Sequence, residues 1–264
     1  MNEFIDIPVP EGVDLPQLRL LFGAGELTLA PGDSDTLLSG EVRYADERLK
    51  PVFTVEGGTI TVRSGIGDNI LGDLKALWES RERFENVWNL RVGAMPLDMF
   101  LRVGAARTGI DLGGLTIRNL TVEQGATDLS IGFSEPNREP MESFTFSGGA
   151  SRCQLRGLGG TRARRIAFRG GAGDYTLEFS GAGSEEMEVS VEAGVGRVVL
   201  AVPSEVQAVL TRKGGLTAVS SSGNWALRDG LWYHGDPDTA ADASAPPLRF
   251  TVTMGLGALE LRNV

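Results

Sequence analysis

The residues that could do chemistry in this 264-residue chain are few and far apart. Its single histidine, His234, stands in Trp232-Tyr233-His234-Gly235-Asp236, and its single cysteine, Cys153, lies two residues before Leu155. One histidine cannot build a His-rich metal site, and a nucleophilic thiol needs an activating base, which here lies far along the chain. His234 therefore reads as a loop residue and Cys153 as a core thiol. A lone cysteine also excludes an intrachain disulfide and a Cys-based zinc site.

Gly170-Gly171-Ala172-Gly173-Asp174-Tyr175 has the outline of a calcium-binding GGxGxD unit. Calcium β-rolls need that nonapeptide in tandem, and here the glycine string returns only every 23 residues or so. It is not a nucleotide fingerprint either, because no GxxxxGK[ST] occurs and no helical pattern follows. Glycosidic cleavage would need two carboxylates facing one groove. Glu185, Glu186 and Glu188, with the loop acids Asp236, Asp238 and Asp242, are the candidates, and such runs commonly form solvated surface. Arg152, Arg156, Arg162, Arg164, Arg165 and Arg169 make the one basic stretch. Within it, Arg162, Arg164 and Arg165 are the candidate contact for an anionic ligand, such as a lipid headgroup or an envelope polymer. No catalytic, cofactor-binding or metal-ligating residue is assigned.

Composition sets the frame for these residues. A net charge of −10 argues against a nucleic-acid partner, which would demand excess Lys and Arg. Hydrophobic content of 41% with 36 glycines describes a folded, Gly-punctuated chain. Met1-Asn2-Glu3-Phe4-Ile5-Asp6 lacks the basic and apolar regions of a secretory signal, and no run approaches a membrane span, so the chain as given is expected to be soluble. The side of the membrane on which it works stays open.

The elements that must position these residues follow from an internal repeat. Apolar alternation, a small kink and renewed alternation recur over Leu18–Leu29, Phe53–Val62, Met99–Leu112, Leu120–Phe133, Phe144–Leu155, Ile166–Phe179, Val189–Val202, Phe250–Leu261 and, more weakly, Ala208–Val219. The central kinks at Gly104, Gly125, Gly149, Gly171 and Gly194 are 21, 24, 22 and 23 residues apart. Period-2 alternation on both sides of each kink predicts two half-buried strands per copy. Copies that cannot bury a face alone should stack with parallel ladders. Aliphatic residues six places after each kink origin, from Leu29 and Val62 to Val219 and Leu261, mark the inward face. Arg107, Asp128, Arg152, Asp174 and Arg197 should form one outward column whose alternating charges fix the register.

Three stretches break the period. Residues 64–90, with Gly67-Asp68-Asn69 and the amphipathic Leu74-Lys75-Ala76-Leu77-Trp78-Glu79, are expected as an insertion carrying a short helix. Residues 134–142 are expected as a loop and 222–247 as a second insertion. The expectation is one all-β domain over residues 1–264: an elongated β-solenoid of about nine Gly-kinked rungs. Right-handed winding, as in a parallel β-helix, is expected from the bias of parallel crossovers.

The strings Gly23-Ala24-Gly25-Glu26-Leu27-Thr28-Leu29, Gly170-Gly171-Ala172-Gly173-Asp174-Tyr175-Thr176-Leu177 and Gly255-Leu256-Gly257-Ala258-Leu259-Glu260-Leu261 share a texture. With Asn86-Val87-Trp88-Asn89-Leu90, they resemble the bacterial toast-rack domain. That family includes adhesin-like proteins and the C-terminal domain of cell-wall-active-antibiotic response proteins. The resemblance implies a link to envelope-stress signalling without a demonstrated chemistry, and it brings no catalytic residues. In that family the domain often follows transmembrane helices, which this sequence lacks. The expected function is a non-enzymatic structural or interaction module of the cell envelope, with no cofactor. Its partner would be a protein or envelope component, and membrane-surface contact and self-association are open to it. The alternative is a carbohydrate-active β-helix enzyme, which would need a groove of converging carboxylates.

Overall fold

The computed structural model describes residues 1–33, 35–64, 85–125, 127–181, 185–236 and 248–264. Among these residues the chain is all β, with no α-helix. The strands are β1 (Asn2–Pro8), β2 (Gln17–Pro31), β3 (Thr36–Tyr44), β4 (Val52–Glu56), β5 (Thr59–Arg63), β6 (Asn86–Val92), β7 (Pro96–Asp111), β8 (Thr116–Gln124) and β9 (Asp128–Gly132). They continue as β10 (Ser143–Gly148), β11 (Ser151–Arg156), β12 (Arg165–Glu178), β13 (Met187–Val202), β14 (Ala208–Lys213), β15 (Leu216–Ser221), β16 (Trp225–Arg228), β17 (Leu231–His234) and β18 (Leu248–Asn263).

Alternating apolar residues make the strands, and the kinks divide them between two parallel ladders. In the first ladder the order is β5, β2, β7, β8, β10, β12, β13, β18, β14, using the parts of the long strands that precede their kinks. In the second it is β6, β2, β7, β9, β11, β12, β13, β18, β15. Strands β2, β7, β12, β13 and β18 pass through the kink unbroken and belong to both.

The core lies between the ladders. Leu20, Leu101, Val122, Phe146, Phe168, Val191 and Val252 stand opposite one another from strand to strand, and all are fully buried. On the second ladder Leu29, Ile110, Ile131, Leu155, Leu177, Leu200 and Leu261 do the same. Burying each such side chain is worth about 1.5–3 kcal/mol, so the columns carry most of the driving force. Phe146 and Phe168 stack with centroids 4.6 Å apart, and the Tyr175 ring meets Phe168 edge-on at 5.1 Å.

The kinks need glycine for two separate reasons. Gly196 and Gly257 have φ of 136° and 145°, a region that side chains rarely adopt. A Cβ on Gly196 would also overlap the carbonyl oxygen of Gly173, and one on Gly257 that of Gly196. Spacing between adjacent layers, not a ligand, accounts for these residues.

The expected outward column forms: Arg107 stands opposite Asp128, Asp128 opposite Arg152, Arg152 opposite Asp174, and Asp174 opposite Arg197. The direct ion pairs at its ends nevertheless reach elsewhere. Arg107 approaches Glu26 at 3.7 Å, and Arg197 donates to Glu260 at 2.6 and 2.7 Å.

The expectation of nine equivalent copies needs correction at two places. Phe53–Val62 is an antiparallel hairpin, β4 to β5, because Gly57 and Gly58 both have positive φ and reverse the chain instead of bending it. Val62 therefore pairs with Leu20, not in the column of Leu29. In Ala208–Val219 the register is displaced by two residues, so that Leu210 faces Phe250 and Val219 faces Leu259. A shift of two preserves which side chains face inward.

Spatial order also departs from chain order. β18 lies between β13 and the β14/β15 layer, and β2 lies between β7 and the β5/β6 layer. At one end β6, β3 and β1 pair antiparallel in succession. At the other, β17 runs antiparallel along the outer edge of β14, and β16 pairs with β17. Within the stretch expected as the first insertion, Asn86–Val92 is strand β6, and the proposed helix at 74–79 lies outside the described residues. Residues 134–142 form the expected loop. Its Asn137 is buried and acts as a surrogate strand, with Oδ1 accepting from Ile117 N–H at 3.0 Å and Nδ2 donating to Ile117 O at 2.9 Å.

Candidate functional site

The corner before β12 gathers the expected arginines. A 3-10 turn at Leu158–Thr161 ends on Arg162, which itself has φ of 53°, and Thr161 Oγ1 closes the turn by donating to Leu158 O at 2.6 Å. The next residues rejoin the ladder: Arg164 N–H donates to Met141 O, and Arg165 stands opposite Glu188. A shallow cleft of about 630 Å³ results, lined by Arg162, Arg164, Arg165, Glu185, Glu186 and Glu188 together with Pro140.

The cleft is charge-compensated, not purely basic. The Arg162 guanidinium forks onto Glu185, with Nη2 to Oε1 at 2.6 Å and Nε to both oxygens at 3.1 Å. That hydrogen bond holds the Glu185 carboxyl below its ordinary range and raises the guanidinium. Glu142 is held down in the same way by Arg118, at 2.6 Å. An anion entering the cleft would compete with Glu185 for Arg162. Arg164 and Arg165 are exposed and in no direct ion pair among the described residues.

The remaining arginines of the basic stretch lie elsewhere. Arg152 belongs to the outward column, Arg156 donates to Gln154 at 2.6 Å, and Arg169 approaches Glu192 at 3.5 Å. Of the candidate acids, Glu185, Glu186 and Glu188 do share the cleft, Glu185 paired with Arg162 and Glu188 opposite Arg165, while Asp236 lies away from it after β17 and Asp238 and Asp242 lie outside the described residues.

Cys153 is 1% exposed, and burial pushes its thiol far above the ordinary value, which suits a core residue. His234, expected in a loop, ends strand β17 and is fully buried against Trp225, with Nδ1 at 2.6 Å from Val206 O and Nε2 at 2.9 Å from Asn263 Oδ1. It clasps the C-terminal end of β18 to the β16–β17 hairpin, a role its sequence neighbours did not signal. Gly170 and Gly173 pack against the Tyr175 ring, and Asp174 faces arginines on both sides. Among the described residues, no group of three His, Cys, Asp or Glu side chains could hold a metal ion. No described helix is long and apolar enough to cross a membrane.

One surface escaped the sequence reading. Immediately after the kinks, Ala172, Val195, Leu256 and Leu216 stand in register on β12, β13, β18 and β15, and the last three are 51%, 53% and 81% exposed. The signal was present as side chains that grow along one column.

The chain resembles the crystal structure of a protein from Clostridium sporogenes described as a "putative cell adhesion protein", with 15% identity, a TM-score of 0.45, and 100% and 99% of the two chains covered. It also resembles one from Parabacteroides distasonis described as a "putative lipid binding protein", at 12% identity and a TM-score of 0.39, covering 100% and 96%. No curated protein matches the sequence. A family model described as the N-terminal domain of toast_rack, DUF2154, matches residues 3–156, more than half of the chain. With the Gly23–Leu29 string and strand β6 inside that match, the chain belongs to the toast_rack family.

Proposed function

We propose that this chain is a non-enzymatic structural and interaction module of the bacterial cell envelope, built as a right-handed β-solenoid of a single domain. The observation that carries the reading is the outward face of the second ladder. Its charged residues are spaced one per strand with alternating sign, Arg107 to Arg197, so that each carboxylate sits beside an arginine. Such a face fixes register and offers a regular surface, whereas glycosidic chemistry would need two carboxylates across an open groove. The toast_rack membership fits an envelope role. The partner is a protein or envelope component, and the Arg162, Arg164 and Arg165 cleft is a candidate contact for its anionic groups. No cofactor enters this reading.

The test is co-sedimentation of the protein with purified bacterial sacculi and with anionic liposomes, while soluble reducing ends are followed. Retention without release of fragments, weakened when Arg162, Arg164 and Arg165 are changed to Glu, supports the reading. Release of fragments that stops on changing Glu185, Glu186 or Glu188 to Gln would replace it with a carbohydrate-active enzyme.

A further inference from the structure

The second ladder ends in two edges that match each other. At one end β15 pairs with β18 and with no other strand among the described residues, and at the other β1 pairs with β3 alone. Because β3 is antiparallel to both β1 and β6, β1 runs in the same direction as β6 and, through the parallel ladder, as β15. Facing agrees as well. Ile5 is buried and stands opposite Gly40, which stands opposite Leu90 of the inward face, while Val219 stands opposite the buried Leu259. Phe4 and Leu216 point outward and are 80% and 81% exposed, and Leu216 extends the exposed column of Val195 and Leu256.

We propose that copies of this protein join end to end, with β1 of one copy adding in parallel to the β15 edge of the next. Phe4 of the second copy then continues the aliphatic column Val195, Leu256, Leu216. Ile5 lies beside Thr217, Asp6 beside Ala218 and Ile7 beside Val219, so every inward residue of one strand meets an inward residue of the other. The strands are 7 and 6 residues long. Charge is complementary at one point: Lys213, exposed and in no ion pair among the described residues, stands two places before the residue that Glu3 would meet, and Glu3 is otherwise 3.8 Å from Lys50. Open edges template strand addition, and a contact between two different edges of one chain is heterologous, so it propagates instead of closing.

Sedimentation velocity over a hundredfold concentration range tests this on the whole chain. The expected result is a growing series of oligomers, and Phe4→Glu or Leu216→Glu alone should move association at least about tenfold higher in concentration. An equimolar mixture of the two variants should restore a dimer and nothing larger, because each keeps one intact edge. Phe4→Ser and Leu216→Ser serve the same purpose if either glutamate variant loses its native melting transition. A chain that stays monomeric throughout, oligomers that survive both substitutions, or a mixture that remains monomeric would each overturn the proposal.

Discussion

From β7 to β13 every neighbour is parallel on both ladders, with one register shift at Leu97/Asp98 where β7 meets β8, whereas β1, β3, β4, β16 and β17 at the two ends pair antiparallel. The middle buries its inward columns almost completely. At the ends, Phe53 and Val55 of β4, on the same face as the buried Ile60 and Val62, are 39% and 63% exposed. The difference follows from neighbours: a middle strand is covered above and below by a copy of itself, and an end strand has one such neighbour at most. Stability should therefore concentrate in the middle, with the ends held by individual polar clasps.

The largest expected effect is the loss of an inward aromatic. Phe168→Ala removes a ring that stacks on Phe146 and meets Tyr175, and should cost about 3–5 kcal/mol in denaturant unfolding. A cost below that of an exposed change such as Leu227→Ala would mean the middle is not the stable part. Next comes Gly196→Ala, which adds both a strained φ and an overlap with Gly173 O, expected at about 2–4 kcal/mol. If melting is unchanged, the layers are not packed as closely as the kinks imply.

His234→Ala sharpens the contrast from the other side. It strands Val206 O and leaves Asn263 Oδ1 with the Asn224 N–H alone, and should cost about 1–3 kcal/mol while raising amide exchange chiefly in β16, β17 and the end of β18. Exchange that rises equally in β8 to β12 would show that the end is not a separate unit. The smallest effect belongs to the exposed pair of Arg197 and Glu260. Arg197→Ala should cost no more than about 1 kcal/mol, shrinking with salt. Its hydrogen bond lowers the Glu260 carboxyl below the ordinary value. The contribution is thus present above the unfolded-state value and is lost as pH falls through the lowered one. Melting curves of parent and variant should converge in acid.

Much of the middle was legible because its information is local. Alternation around Gly171 or Gly194 fixes which side chains face inward, and the kink spacing fixes which residues become neighbours, so the Arg107-to-Arg197 column could be read before any pairing was seen. Gly57-Gly58 was misread because a small-residue pair marks a bend and a reversal alike, and only φ at both residues separates them. The arginine corner was legible as a cluster, yet its compensation was not, since Arg162 and Glu185 are 23 residues apart and meet only because adjacent layers bring their corners together. His234 gave no local hint of burial, because both its partners come from other strands.

By itself, then, the sequence determined the strands, their inward faces and the register of the central copies, all consequences of period-2 alternation and a repeated kink. Tertiary structure alone decided that β2 and β18 are tucked one layer inside the ends, and that the edges left at those ends are β1 and β15 on the second ladder and β4 and β16 on the first. A period specifies how far apart equivalent residues lie along the chain. It carries no term for which layer stacks on which, and that order is set by the burial each layer gains from its neighbours in space.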